Sequence, residues 1–494
     1  MKLVRLFRRP LPAHASSLAR LISRRSLVAA SAGLWLTGTP GRVASMPAAV
    51  VLVETYRKSS DTTGDDGPAL QRAVDAAATI GAVVAIPAAG LRLKSAVKLP
   101  DNTVLQGVGD GARIRGEVEA FLSANGRTSV KLVNVKLSSK NNSSGPVFTD
   151  CRNLRFERVT IDSGDPKDAA TLLTFGLRLR GCVDVAIDDC AFFDINDAIY
   201  LERSPRGADC DRVSVSRSHF EHTHHGTFFS YPVGVYQYYC KNLTVDGCTF
   251  RNIFPGNPNN PAPIGYGVYE GDGHCHSTVV MNCVYETTEP RADTALCLTS
   301  TSQSVRFQKN SFRALAPGGG GYLFRGGGGA AALTIAENIS RGGGIFAVES
   351  GTAGTLEIAN NTLQAIAATA AIRVGANDAR IASVQIHDNK ISGCTGGGIF
   401  INYADRFDVS DNDVADVNTA NARYVPGHNE FEVAGIIAFG PVNGHISGNR
   451  VTNTPGGGGH AQYAIASASR ENNIVIDANN TAIGMETAAI LNGH

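Results

Sequence analysis

From residue 130 onward one short phrase recurs along the chain: apolar at i and i+2, a small or amide residue at i+5, and usually apolar at i+7. Clear copies are Leu154/Phe156/Val159/Ile161, Val185/Ile187/Cys190/Phe192, Leu243/Val245/Cys248/Phe250, Val305/Phe307/Asn310/Phe312, Leu356/Ile358/Asn361/Leu363 and Val384/Ile386/Asn389/Ile391, with weaker ones at Gly444 and Ile474. The i, i+2 alternation has the period of a strand with one buried face, and the parity break before i+5 requires a bend. A second apolar strand follows in most copies, as in Ala198-Ile199-Tyr200-Leu201, Gly344-Ile345-Phe346-Ala347, Gly398-Ile399-Phe400-Ile401 and Gly435-Ile436-Ile437-Ala438. Copies begin 23 to 37 residues apart, so loops of unequal length separate them. Two or three short strands per repeat, with no helix-period segment between them, predict coils of a parallel β-solenoid; a propeller blade needs roughly 40 residues or more. About thirteen rungs are expected, stacked at ~4.8 Å. Glycine runs at 318–321, 326–329, 342–344, 396–398 and 456–459 are expected to form tight corners with positive φ.

Cysteine and asparagine fall on this register. Cys151, Cys182, Cys210, Cys240 and Cys275 sit at i−3 of five consecutive copies, and Cys190, Cys248 and Cys283 at i+5. From Asn310 onward the i+5 position carries Asn338, Asn361, Asn389, Asn412, Asn449 and Asn479. Identical residues at one register position of a parallel stack lie above one another. An internal amide ladder satisfies its own donors and acceptors, and thiols fill the same place as small hydrophobes. Ten cysteines in an exported chain could instead pair between rungs, but stacked free thiols are the expectation.

With 54 glycines, 18% charged and 7% aromatic residues, the chain is globular and turn-rich. Its formal charge of +1 conceals an asymmetry: residues 1–45 hold eight Lys/Arg and no acid, which leaves 37 basic against 44 acidic residues in the remainder. A mildly acidic body disfavours nucleic acid or an anionic membrane as main partner, because both require a basic face. The basic opening, the pair Arg24-Arg25, the apolar run to Leu36 and the small residues near Ala44 have the order of a secretory signal. The paired arginines resemble a twin-arginine signal, which implies export to the periplasm or beyond of an already folded protein. The apolar run is too short to span a bilayer, which takes ~20 residues, and no membrane span is expected after signal removal.

Residues 61–110 read DTTGDDGPALQRAVDAAATIGAVVAIPAAGLRLKSAVKLPDNTVLQGVGD. Pro68 to Ala78 has helix periodicity, with Asp65 or Asp66 available as N-cap and Pro68 suited to the first turn. This opening resembles the amino-terminal cap of the pectate-lyase-like group, which includes rhamnogalacturonase- and epimerase-like enzymes and phage tailspikes. The resemblance implies an all-β, single-stranded right-handed parallel β-helix with a helix/strand cap. The expected organisation is a signal at 1–45, cap and first coils at 46–125, and β-helix at 126–494. Such a fold hosts many chemistries, so function must come from a site.

In a solenoid the inward positions are taken by packing, which leaves outward residues and long loops for chemistry. The longest excursions are 221–240, 254–276, 286–295 and 418–434, the first three after consecutive rungs. Aligning the second strands puts Tyr200, Tyr236 and Tyr269 at one outward position, with Glu202 and Tyr238 two residues on and Glu270 and Asp272 after the third. Stacked tyrosines beside carboxylates suit a polysaccharide or oligosaccharide groove. Paired carboxylates from neighbouring rungs would serve glycoside hydrolysis, and Glu202, Glu270, Asp272 and Asp293 are the candidates. The alternative is β-elimination or epimerisation of a uronate, with His224 or His225, Tyr231, Tyr269 and Arg291 in the roles of base and cation and with Ca²⁺ conceivable on carboxylates. A non-catalytic saccharide-binding or surface-structural rod is the third class. The pairs His222/His224 and His274/His276 lack any accompanying zinc motif, so no metal is expected, and without a phosphate-cradling Gly pattern after a strand no organic cofactor is expected either.

Overall fold

The structure, a computed structural model, describes residues 49–139, 144–163, 174–222, 233–253, 265–271, 275–288, 294–300, 302–314, 321–376, 379–423, 433–439, 443–467 and 473–492. These residues form three sheets of 16, 15 and 15 strands; Val50–Leu52 pairs with Val83–Ile86 in the first sheet, and from Val83–Ile86 onward consecutive strands pass from one sheet to the next in strict rotation. The result is a right-handed parallel coil of about fifteen turns. Two turns more than the phrase counts come from the cap segment: Val83–Ile86, Leu91–Leu93 and Val97–Lys98 make one coil, and Val104–Gly107, Arg113–Gly116 and Leu122–Asn125 the next. No helix among the described residues is long and apolar enough to cross a membrane.

The recurring phrase is two strands and a corner. Its i position forms one column of the first sheet, Leu154, Val185, Val213, Leu243, Thr278 and Val305 being successive partners. Its i+7 position lies in the second sheet, where Ile161, Phe192, Phe220, Phe250, Tyr285 and Phe312 follow one another. Phe192, Phe220 and Phe250 stack face to face at 4.9 and 4.8 Å. The Gly/Ala-apolar phrase is the third sheet. Its leading glycine is a packing requirement: a Cβ on Gly398 would stand 2.5 Å from the carbonyl oxygen of Gly435 in the next turn.

The corner between the first two sheets departs from expectation, because glycine turns it only at Gly247 and Gly448 and other residues turn it elsewhere. Residue i+4 adopts the left-handed conformation in copy after copy, as Arg158, Asp189, Arg217, Asn282, Lys309, Glu337, Asn360, Asp388 and Asp411, with φ between 48° and 57°. That conformation costs an L-residue about 1 kcal/mol or more. It is repeated because the N–H at i+4 then donates to a carbonyl of the next turn, as from Arg158 to Asp188 and from Lys309 to Ala336 at 3.0 and 3.1 Å. Among the glycine runs, Gly326, Gly327, Gly329, Gly342, Gly456 and Gly458 do take positive φ, whereas 396–398 do not.

Next to this corner runs the amide ladder. The side-chain oxygen of Asn361 accepts from both the backbone N–H and the side-chain amide of Asn338 at 3.0 and 2.8 Å, and its own amide donates to Asn389 and to the Ile335 carbonyl. The same pattern runs from Asn310 through Asn338, Asn361, Asn389 and Asn412 to Asn449. The last rung is Asn480, not Asn479, because an extra residue in the final corner moves the next amide into place; Asn479 instead accepts from the N–H of Gly448. At its other end the ladder meets Cys283, whose N–H donates to Asn310. All ten cysteines are buried and unbridged.

The helix Gly67–Ile80 closes the amino-terminal end by burying Leu70, Ala73, Val74 and Ala77. Asp66 stands at its N-cap without a side-chain cap bond, and Asp65 accepts from the N–H groups of Gly67 and Lys94, both at 2.9 Å.

Candidate functional site

The excursions within 221–240, 254–276, 286–295 and 418–434 leave second-sheet strands and rejoin the chain at the third sheet, before Val233–Gln237, Tyr266–Glu270, Ala295–Thr299 and Ala434–Phe439. The strands that follow them belong to that sheet, whose outer face carries their outward residues. On this face the register makes a single outward column of Arg178, Tyr200, Tyr236, Tyr269, Leu298, Arg325, Phe346, Arg373 and Phe400. The expected tyrosine column thus exists and is part of a longer one. Tyr200 to Tyr236 and Tyr236 to Tyr269 are 5.0 and 4.9 Å apart, edge to face, and Phe175 lies 4.7 Å from Tyr200. Burial pushes the Tyr200 hydroxyl up to about 12 and raises that of Tyr236 as well, so both are neutral donors at ordinary pH.

Arginines are set among the rings. The guanidinium of Arg178 is 4.6 Å from the Phe175 ring, that of Arg325 5.3 Å from Tyr322, and that of Arg373 4.6 and 5.8 Å from Phe346 and Phe400. Tyr238 is outward too, its ring 6.3 Å from that of Tyr236. A Cβ on Gly271 would meet Tyr238 Cδ2 at 2.6 Å and the Tyr236 hydroxyl at 2.9 Å, so only glycine fits beneath the two rings.

The carboxylates are placed differently from the sequence expectation. Glu202 does face outward, but Arg178 and Arg180 both donate to it, leaving its charge neutralised and its lone pairs occupied. Glu270 points into the coil. It is fully buried, in register with Gln237, and accepts from Ser302 Oγ at 2.8 Å. Ser302 in turn meets Thr278, to which Gln237 donates at 2.7 Å. The reason is strand parity: Tyr269 takes the outward position, so its immediate neighbour must face inward. Glu270 is thus a member of an internal polar network and not of the groove. Asp272, Asp293, His224 and Arg291 lie outside the described residues, as do His225, Tyr231 and His274. His222 is buried, which pushes its ring down to about 4 against the opposing pull of Asp194. Among the described residues no group of three or more His, Cys, Asp or Glu could hold a metal ion.

One residue escaped the sequence reading. Asp197 stands three residues before Tyr200, in a second column with Phe175, Val233, Tyr266, Ala295 and Tyr322. Val233, Tyr266 and Ala295 form a small apolar patch against which Tyr236, Tyr269, Leu298 and Tyr322 pack. Asp197 is the carboxyl in this otherwise apolar and aromatic column, and it is 6% exposed. Its described hydrogen bond comes from the Asn196 amide at 3.1 Å. Burial pushes its carboxyl up to about 8, so it holds its proton at neutral pH, and its charge when ionised would act on both Tyr200 and Tyr236. The signal was available: the residue three before the column tyrosine is apolar or aromatic in the following turns and acidic only here.

A family described as right handed beta helix region matches residues 91–363. No curated protein matches the chain. Among solved structures, the catalytic unit of the thermostable GH87 alpha-1,3-glucanase from Streptomyces thermodiastaticus is similar at 14% identity, covering 91% of this chain and 71% of that one with a TM-score of 0.44. The tailspike protein of E. coli bacteriophage HK620, solved in complex with a pentasaccharide, matches at 12% identity over 86% of this chain and 80% of its own, TM-score 0.43. PfbA, a surface adhesin of Streptococcus pneumoniae, matches at 10% identity over 90% and 93%, TM-score 0.40.

Proposed function

The chain belongs to the right-handed β-helix family, and we propose that on this scaffold it is an exported enzyme that binds an extended saccharide along the outer face of the third sheet and hydrolyses its glycosidic bonds. The observation that carries the reading is the outward column of Tyr200, Tyr236 and Tyr269, continued by Arg325, Phe346, Arg373 and Phe400 at one register position of consecutive turns. The half-buried rings of Tyr200, Tyr236 and Tyr269 supply flat apolar faces to sugar rings, with Phe346 and Phe400 buried beneath Arg373, while phenol and guanidinium edges supply donors to hydroxyl groups. A repeating ligand matches a repeating surface.

In this reading Asp197 is the proton donor. A glycosidic bond breaks when the leaving oxygen gains a proton while the anomeric carbon gains an oxygen from water activated by an ionised carboxylate. A carboxyl with its proton retained near neutral pH, beside Tyr200 and Tyr236, suits the first role. Asp272 and Asp293, the remaining carboxylates of the sequence reading, are the candidates for the second. Glu202 is a positioning residue, which holds Arg178 against Phe175 and Tyr200. The segment 1–45, with Arg24-Arg25, is the export signal of the same proposal.

The test is to incubate the mature protein and its Asp197→Asn variant with a panel of neutral and acidic polysaccharides, following new reducing ends and unsaturated-uronide absorbance. Reducing ends without that absorbance, lost in the variant, are expected. Both signals together would replace hydrolysis with β-elimination, and binding without either would reduce the protein to a saccharide-binding rod.

A further inference from the structure

A second feature lies on a different sheet. Near the amino-terminal helix, the outer face of the second sheet has a cavity of about 580 Å³, lined among others by Arg92, Arg113, Arg115, Lys136, Asp66 and Asp110. The cations come from three consecutive turns, on strands Leu91–Leu93, Arg113–Gly116 and Lys136–Ser139. Ile114 and Leu137 are fully buried, so the residues flanking them point outward. The register then sets Arg92 directly beside Arg115, and Arg113 directly beside Lys136. Like charges opposite each other on neighbouring strands repel, and a fold keeps them only where something offsets the repulsion.

Half of that offset is present. Arg92 donates to both carboxylate oxygens of Glu117 at 2.7 and 3.0 Å, and Lys136 pairs with Asp162. Asp66 is already committed to Arg57 and to the backbone N–H of Arg92, and Asp110 is exposed at the rim. Arg113 and Arg115 have no carboxylate partner among the described residues, and the Nε of Arg115 is buried without a hydrogen-bond acceptor. Arg115 is a permanent cation next to another cation, lines the cavity and has a buried donor unsatisfied, so what the site lacks is an acceptor with negative charge.

We propose that this cavity binds a small oxyanion, held by the guanidiniums of Arg113 and Arg115. Two planar forks two residues apart on one strand can each present paired N–H groups to oxygens of one ligand. Sulfate, phosphate and the carboxylate of a sugar acid share that chemistry. The site stands on the second sheet and does not rest on the reading of the groove.

The experiment titrates the mature protein, and an Arg113→Gln/Arg115→Gln variant, with sodium sulfate, sodium phosphate or sodium glucuronate against sodium chloride of equal ionic strength. Calorimetric affinity and melting temperature are read. General salting effects move both proteins alike, so the difference between them is the signal. The wild type is expected to bind at least one oxyanion roughly tenfold or more tightly than the variant does, and without oxyanion the variant should melt no lower than the wild type because two unpaired like charges are gone. Preference for glucuronate would identify a sugar acid, and preference for sulfate or phosphate a free ion. Tyr236→Ala should leave the binding unchanged. Equal affinity in wild type and variant, or no response beyond chloride, overturns the proposal. Should circular dichroism reveal a misfolded double variant, the exposed single change Arg113→Gln carries the comparison.

Discussion

Asp197 makes the sharpest prediction, because its burial ties stability and activity to the same proton. The folded protein holds that carboxyl at about 8, whereas an unfolded chain releases the proton near 3.9. Between these values the folded state carries one proton more than the unfolded state, so stability falls as pH rises, by about 1.4 kcal/mol per unit. From pH 5 to pH 8 this one group should cost about 4 kcal/mol, with no further loss above its folded pKa. Asp197→Asn keeps a side-chain oxygen to accept from Asn196 and removes the titration. The variant should match the wild type within about 1 kcal/mol at pH 5 and exceed it by several at pH 8. Urea unfolding followed by β-sheet circular dichroism is the assay, since the single tryptophan, Trp35, lies in the proposed export signal 1–45. Turnover by the wild type should fall above pH 8 as the donor ionises, and should already be lost in Asp197→Asn at every pH. Wild type and variant losing stability in parallel from pH 5 to pH 8 would refute the reasoning, because the carboxyl would then be ionised in the fold throughout.

Asn361→Leu should cost about 3–5 kcal/mol, since it strands the N–H and amide of Asn338 and the carbonyl of Ile335 inside the coil; a loss below about 1 kcal/mol in urea unfolding would deny the ladder its structural role. Glu202→Gln should lower stability by roughly 1–3 kcal/mol, because Arg178 and Arg180 lose their shared partly buried carboxylate, while detectable turnover persists; complete loss of turnover in a folded variant would return Glu202 to the catalytic set. The ten buried thiols should resist a thiol reagent in the native protein and all react in denaturant; mass spectrometry finding several disulfides in the mature protein would contradict the stacked-thiol arrangement. Arg24→Lys combined with Arg25→Lys should abolish export, measured as mature protein outside the cytoplasm, and undiminished secretion would remove the twin-arginine assignment.

What could be read along the chain was whatever depends on neighbours one to seven residues away. The phrase Leu154/Phe156/Ile161 and its copies place two strands and a corner on each turn, and the coincidence of Cys151, Cys182 and Cys210, or of Asn338, Asn361 and Asn389, at one phrase position tells which residues stack. Strand parity also put Tyr200, Tyr236 and Tyr269 on the outside, and the same parity, applied one residue further, turns Glu270 inward. The left-handed corner at Arg158, Asp189 and Lys309 was not legible, because those side chains have nothing in common; their shared backbone geometry is held by hydrogen bonds to the next turn, some 30 residues away. The extra residue that hands the last rung to Asn480 is likewise visible only against Asn449.

The fold class, the stacking register and the outward tyrosines are therefore determined by the sequence itself, since a parallel stack repeats a local pattern. The condition of each charged group was decided by tertiary structure. Glu202 is neutralised by arginines of its own neighbourhood, Asp197 keeps its proton because rings and aliphatic groups of adjacent turns surround it, and Arg115 faces a cavity with its Nε unsatisfied. Charge state depends on solvent exclusion and on partners a full turn away, and turns separated by loops of unequal length meet only when the coil closes.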